Sequence, residues 1–192
     1  AKLFYKLKKK YKFVIIEDAC HSLGGKYDVK NNIKVGSCKY SDITTFSLHP
    51  IKSITTGEGG MITTNNNKFY KKINLLKNHG IFRKPKKNKN NWNYKIVLPG
   101  YNYRLSDLSC SLGISQLTKI NIFIKKRNQI SNFYRRQLSK FTKYLDLPPK
   151  HDKELSANHL FVILFKKETL KISRERIIQE LYKKGIVTQI HY

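Results

Sequence analysis

An α/β fold is what the sequence predicts, and three observations carry the prediction: short runs of strand formers that end in polar, chemistry-bearing residues, apolar residues at helical spacing between them, and Gly or Pro at the joins. The first run, FVII over 13–16, reads as a buried strand that delivers Glu17 and Asp18 at its carboxyl end, which is where open α/β sheets place their sites. Asp42 to Phe46 is a second candidate strand, leading into the loop SLHPIK. Gly60 to Thr64 is a third, following the turn GEGG. Residues 66–79 carry Phe69, Ile73, Leu75 and Leu76 at helical spacing, with Gly80 where a left-handed carboxyl-terminal cap is wanted. The stretch from Phe82 to Pro99 is polar, rich in Lys and Asn and without a period, so a mobile surface loop is expected.

Ser106 stands as an N-cap before a helix containing Leu108, Leu112 and Leu117. A second helix continues with Phe123, Ile130, Tyr134, Leu138 and Phe141, and a helix of this kind can bridge two domains. After Pro148 and Pro149 the pattern becomes a strand, HLFVILF, then a helix from Ser173 to Lys184 closed by Gly185, then the strand-like IVTQIHY. That order marks the start of a second, smaller α/β unit. The expected division is 1–117, part of a large domain, 118–144, a connecting helix, and 145–192, part of a small domain.

At 192 residues the chain is long enough for a real hydrophobic core. Its formal charge of +27 invites a polyanion, but Lys is spread along the whole chain beside many Asn and Ile. Dense basic patches occur only at 6–12 and 84–95. A solvated surface, with no specific nucleic-acid partner, is the expectation. Cys20, Cys38 and Cys110 form no CxxC pair, so neither a disulfide framework nor a zinc site is indicated, and a reducing cytoplasm fits. Nowhere do about 18 apolar residues run together to span a membrane. His21, His49 and His79 lack metal-ligand spacing.

Asp18, His21, Ser47, His49 and Lys52 fall near the ends of two expected strands and compose a polar site. A lysine close to hydroxyls and glycines binds phosphate or, when desolvated, attacks carbonyls as an amine; a plain surface lysine is the competing reading. A phosphate-binding GxxxxGK[ST] loop is absent, and GEGG follows Lys52 rather than preceding it. GEGG itself reads as a tight turn that lets backbone approach the site.

Three strings, VIIEDACHSLGGKY, TTFSLHPIKSITTGEGGMITTN and GYNYRLSDLSCSLGISQL, with HLFVI and GIVTQIHY near the end, resemble the DegT/DnrJ/EryC1/StrS sugar aminotransferases. The nearest resemblance is to the branch that aminates a UDP-4-keto-6-deoxy sugar on the way to pseudaminic acid. It implies the aspartate-aminotransferase type of fold used by pyridoxal 5'-phosphate enzymes (fold type I), with a large, mostly parallel sheet domain, a small α/β domain and a homodimer that shares its sites. Lys52 matches the lysine that carries the cofactor as a Schiff base, and Asp18 the aspartate that keeps the pyridine nitrogen protonated. Ser47 matches a serine that donates to the cofactor phosphate. His21 matches a position beside the ring and its phenolic oxygen; a core histidine satisfied by backbone is the alternative. Asn102 and Arg104 match residues sent across the dimer interface, Asn102 toward the cofactor phosphate and Arg104 toward substrate, although either can be an ordinary turn residue.

The implied reaction moves an amino group from an amino acid, glutamate by expectation, to carbon 4 of a UDP-linked 4-keto-6-deoxy-N-acetylhexosamine. Lys52 separates this chain from related dehydratases, which carry histidine there. Other TDP- or GDP-keto-sugar aminotransferases, another pyridoxal enzyme on the same fold, and a non-catalytic basic binding module are the rival readings. Family members are roughly twice this length, in keeping with two domains, and begin with a Gly-Thr helix start for the cofactor phosphate that has no counterpart here. The chain starts just before EDACH and stops inside the HY motif, so both ends read as cut.

Overall fold

The computed structural model describes residues 1–83, 94–150 and 152–190. Helix α1 (Lys2–Tyr11) opens the chain and ends at Lys12, whose left-handed backbone returns an N–H to Lys8. Strand β1 (Ile16–Asp18) follows, then a small hairpin of β2 (Lys26–Asp28) and β3 (Ile33–Lys34), then β4 (Ile43–Ser47) and β5 (Gly60–Thr63). β1 lies parallel to β4, and β5 returns antiparallel on the other side of β4, so the central sheet has the order β1-β4-β5. β4 is therefore the strand with neighbours on both edges. It holds the best-buried residues of the sheet, Thr44 at 0% exposure and Phe46 at 4%.

Helix α2 (Asn67–Leu76) starts where the Asn66 side chain accepts from the Lys68 and Phe69 amides, satisfying N–H groups a helix cannot satisfy itself. At its other end Gly80, at φ 66°, donates its N–H back to the Leu75 carbonyl. A side chain at Gly80 would meet the Leu98 carbonyl oxygen at 1.8 Å, so glycine is required there both by the turn and by the neighbouring backbone. Leu98 lies two residues past a second hairpin, β6 (Ile81–Phe82) with β7 (Lys95–Ile96). Helix α3 (Asp107–Leu117) is capped by Ser106, whose hydroxyl oxygen accepts from the Ser109 amide. Helix α4 (Ile120–Leu138) follows with a short 3-10 turn at Ser139–Phe141. The carboxyl-terminal part adds β8 (Leu145–Asp146) paired with β9 (Leu164–Phe165), and helix α5 (Arg174–Lys183), capped by Ser173. Gly185 ends that helix at φ 76°.

Five expectations need correction. The start is not only a basic patch: Leu3, Phe4, Leu7 and Tyr11 recur at helical spacing within α1, and Lys8 pairs with Asp42. The first strand lies over Ile16–Asp18 rather than 13–16, and Phe13, Val14 and Ile16 are exposed rather than buried; β1 is an edge strand, paired only with β4 among the described residues. The ends of the 82–99 stretch are paired in β6 and β7 rather than unstructured; residues 84–93, including most of the basic patch placed at 84–95, lie outside the described residues. Within HLFVILF only Leu164–Phe165 finds a strand partner. Residues 186–190 have no strand partner and form no strand, and the HY at 191–192 lies outside the described residues.

The carboxyl-terminal segment is tied back to the β2 hairpin by backbone. Lys26 and Leu155 exchange N–H···O bonds of 2.8 and 2.9 Å, and Val29 donates to Lys153 at 3.0 Å. α4 supports the same junction: Asn128 donates to the Ser156 carbonyl at 3.0 Å and accepts from the Asn158 side chain at 2.9 Å. These bonds carry residue 159 to the neighbourhood of residue 21.

Candidate active site

The parallel pairing of β1 with β4 sets Asp18 opposite Thr45, so both strands deliver their carboxyl ends to the same edge of the sheet. Alternation along β1 turns Glu17 and Asp18 to opposite faces. Glu17 accepts from Thr44 Oγ1 at 3.1 Å, from Ser41 Oγ at 3.4 Å, and from the Tyr27 phenol. Asp18 faces the loop after β4. Its Oδ1 accepts the Cys20 amide at 3.0 Å.

Hydrogen bonds from the Cys20 thiol and amide, with the positive charge of His21 and Lys52 nearby, hold the Asp18 carboxyl below its ordinary pKa of 3.8. The same arrangement acts oppositely on Cys20, whose thiol is pushed up by burial and by the Asp18 anion. The Ser47 backbone also bonds toward that thiol. Asp18, Cys20, His21, Ser47 and Lys52 thus belong to one electrostatic neighbourhood.

Lys52 sits half-buried on a loop running from Leu48 to Gly59. The loop is closed at its base by Leu48 N–H to the Gly59 carbonyl at 2.8 Å and Thr56 N–H to the Leu48 carbonyl at 3.0 Å. Pro50 occupies the second position of a turn that Lys52 N–H closes on the His49 carbonyl at 2.9 Å. Ser53, Ile54 and Thr56 turn inward and are buried, so the loop is anchored immediately after Lys52. Gly57 and Gly59 in GEGG have φ of 83° and 151°, as expected of a glycine-built turn. Leu105, just before α3, and Gly113 within it pack against this turn: side chains at Gly59 and Gly113 would meet Leu105 and Thr56, each at 2.8 Å.

Asn102 and Arg104 take a different place. Residues 101–103 run along the end of α2, with the Tyr101 carbonyl accepting from His79 and Tyr103 donating to Lys77, both at 2.9 Å. Arg104 Nη1 donates to Asn78 Oδ1 at 2.7 Å. Both residues are exposed, and among the described residues their partner is Asn78, just past the end of α2, and not Asp18 or Lys52.

Three residues near the cluster were not singled out for a role by sequence reading. Cys20 bonds Asp18, and its position within EDACH is the only signal for it. Glu58 faces His49 across 3.6 Å. His159 stacks on His21 with ring centroids 4.5 Å apart at 52°; they are 138 positions apart, and no local pattern announces the contact. Among the described residues no group of three His, Cys, Asp or Glu is placed to hold a metal, and no helix is long and apolar enough to cross a membrane.

The chemistry assembled here is a carboxylate kept ionised, a half-buried primary amine, a hydroxyl at a strand end and an imidazole. That donor set fits a cationic heteroaromatic ring bearing an aldehyde.

Residues 3–192 match the model of the DegT/DnrJ/EryC1/StrS aminotransferase family. A UDP-4-amino-4,6-dideoxy-N-acetyl-beta-L-altrosamine transaminase of Campylobacter jejuni is 40% identical over 186 residues, covering 97% of this chain and 46% of the relative. The protein of the same name from Helicobacter pylori is 33% identical over 187 residues. The solved structure of Helicobacter pylori PseC, an aminotransferase involved in the biosynthesis of pseudoaminic acid, superposes with a TM-score of 0.85 at 33% identity, over 98% of this chain and 47% of that one. A candidate sugar aminotransferase of Streptococcus pneumoniae, solved in its PLP form, gives a TM-score of 0.78 at 30% identity, over 97% of this chain and 46% of that one. The chain spans about half the length of the curated relatives it matches. The fold is the type I fold of these aminotransferases, with a parallel strand pair at its centre.

Proposed function

Since the chain belongs to the DegT/DnrJ/EryC1/StrS aminotransferase family, we propose that it forms part of a pyridoxal-phosphate-dependent enzyme that aminates a nucleotide-linked keto sugar. The observation that supports this reading is an Asp18 carboxylate held ionised at the carboxyl end of β1, with Lys52, on the loop that follows the adjacent parallel strand, near enough to contribute to that shift. When bound, the cofactor supplies an electron sink, provided its ring nitrogen stays protonated. Asp18 is the counter-ion for that nitrogen. Lys52 holds the cofactor and then acts as the base that moves a proton at the sugar carbon.

Ser47 donates its hydroxyl to the cofactor phosphate, and His21 lies beside the ring. Asn102 and Arg104, exposed and held by α2, serve a second copy of the protein, Asn102 at the phosphate and Arg104 at the substrate diphosphate. The substrate is a UDP-4-keto-6-deoxy-N-acetylhexosamine aminated at carbon 4, with glutamate as donor; the name of the 40%-identical Campylobacter relative supports this choice. Residues 1–117 then belong to the large domain, 118–144 connect, and 145–192 begin the small one. The cytoplasm is the compartment for such an enzyme, with its three cysteines free.

The test begins with the complete protein and added pyridoxal phosphate. Borohydride should fix the cofactor to the peptide containing Lys52. UDP-, TDP- and GDP-linked 4-keto sugars are then offered, and products identified by mass and NMR. Labelling of a different lysine overturns the site. Preference for TDP or GDP sugars, or amination at carbon 3, retains the class and overturns the substrate. Steeply salt-dependent polyanion binding with no cofactor uptake supports a basic binding module instead.

A further inference from the structure

His49 has contacts that the proposed chemistry leaves unused. It lies between Ser47 and Lys52 and touches both limbs of the loop. Its backbone N–H reaches Ser47 Oγ at 3.5 Å, and its carbonyl accepts the Lys52 N–H at 2.9 Å. On the ring, Nδ1 accepts the Ile51 N–H at 3.4 Å. Nε2 faces Glu58 Oε1 at 3.6 Å, on the returning limb. The loop is therefore closed by backbone at Leu48 and Gly59, and beside Lys52 its two limbs approach each other through the His49 and Glu58 side chains.

The two ring contacts assign different tasks to the imidazole. For Nδ1 to accept from Ile51, that nitrogen must be unprotonated, which places the ring proton on Nε2, toward Glu58. Glu58 then orients the ring, and Nδ1 holds the residue immediately before Lys52. Without that acceptor, the turn containing Lys52 retains only its backbone bond to His49.

We propose that His49, oriented by Glu58, is a positioning residue for Lys52, acting through the acceptor it offers to Ile51. The inference rests on the reading in which Lys52 carries the amine chemistry. Substitution separates the two ring nitrogens, because an Asn side-chain oxygen occupies the place of Nδ1, whereas Gln reaches only toward Nε2.

Amide hydrogen exchange on the complete, cofactor-free protein reads the loop directly. His49→Ala and His49→Gln should speed exchange at Ile51 by about tenfold, and His49→Asn should stay within about twofold of the parent. The Thr44 amide, on the buried strand β4, serves as the folding control and should be unmoved in all three. With cofactor loaded, His49→Ala should lower kcat by about tenfold while KM for the sugar nucleotide changes less than about twofold, since a misplaced amine harms the chemical step more than binding. Unchanged Ile51 exchange in the Ala variant overturns the proposal, as does failure of Asn to restore protection. If Lys52 of the parent takes no label, the functional reading fails while the exchange result still decides the role of His49 in the loop.

Discussion

The loop from Leu48 to Gly59 and the strap from Tyr101 to Arg104 are both assigned to one site, yet they are built on opposite plans. The loop closes on itself: its base is a backbone bond between Leu48 and Gly59, its turn is set by Pro50, and three buried residues follow Lys52. The strap is held to the end of α2, and it presents Tyr101 and Tyr103 as a stacked, exposed pair with ring centroids 4.9 Å apart. Beyond it, α3 exposes Leu108, Leu112, Ile114 and Leu117, an apolar surface left open in the isolated chain. The difference teaches where the information for each lies. A loop whose partners are within a dozen positions assembles in this chain alone, whereas the strap faces outward, and the role proposed for it calls for another surface.

The strongest way to break the comparison is at the loop. If Lys52 is both the attachment point and the base, Lys52→Ala should abolish borohydride labelling and lower turnover by about a thousandfold or more. Turnover within tenfold of the parent would contradict the placement of the amine in this loop. Asp18→Asn should come next, with cofactor still bound and turnover reduced by about a hundredfold, because a neutral amide no longer stabilises a protonated ring nitrogen. The Asp18 carboxyl is held below 3.8, so the stability it lends is present above that ordinary value and is lost as pH falls through the lowered one. A carbon-13 titration of Asp18 should accordingly give a midpoint under 3.8; a midpoint above it sinks the electrostatic argument.

The strap is tested by mixing. If Arg104 serves a second copy, exchanging subunits between a Lys52→Ala and an Arg104→Ala protein should recover about a quarter of the parent activity, since half the dimers are hybrids with one intact site. No recovery despite proven exchange would show that Arg104 works within its own chain. The contact of the loop with α3, the helix that follows the strap, gives the smallest effect. Gly113→Val places a side chain against Thr56, where even a Cβ would approach to 2.8 Å. The expected loss is about 1–3 kcal/mol of stability by overpacking, seen as a lowered Tm with Lys52 labelling retained. An unchanged Tm would mean α3 and the loop are not in firm contact.

Legibility in the sequence followed the same division. β4, β5, α2 and α3 were read within a residue or a few because their signals are local: strand formers beside GEGG, Ser106 as a cap, Gly80 as the terminator. The EDACH and HPIK strings named Asp18 and Lys52 directly, and parallel pairing explains why residues 34 positions apart share an edge. α1 was missed because its lysines drown the apolar spacing of Leu3, Leu7 and Tyr11. The runs at 159–165 and 186–190 were over-read as strands, since strand propensity yields a strand only where a partner supplies hydrogen bonds. His159 beside His21 could not be read at all, because Lys26, Leu155 and Asn128 bring it there through contacts distant in sequence.

The far face of β1 decides which of two neighbouring acids reaches the candidate site. Glu17 and Asp18 are neighbours of nearly equal chemistry, and the pleat sends only one of them to Lys52. Thr44, Ser41 and Tyr27 enclose the Glu17 carboxylate with hydroxyl donors on the side away from the site. Sliding β1 by one residue would exchange the two faces and strand that hydroxyl nest without its anion. The three hydroxyls thus act as a keyway for the strand: by donating to the Glu17 carboxylate they favour the register in which Asp18 turns to the other face.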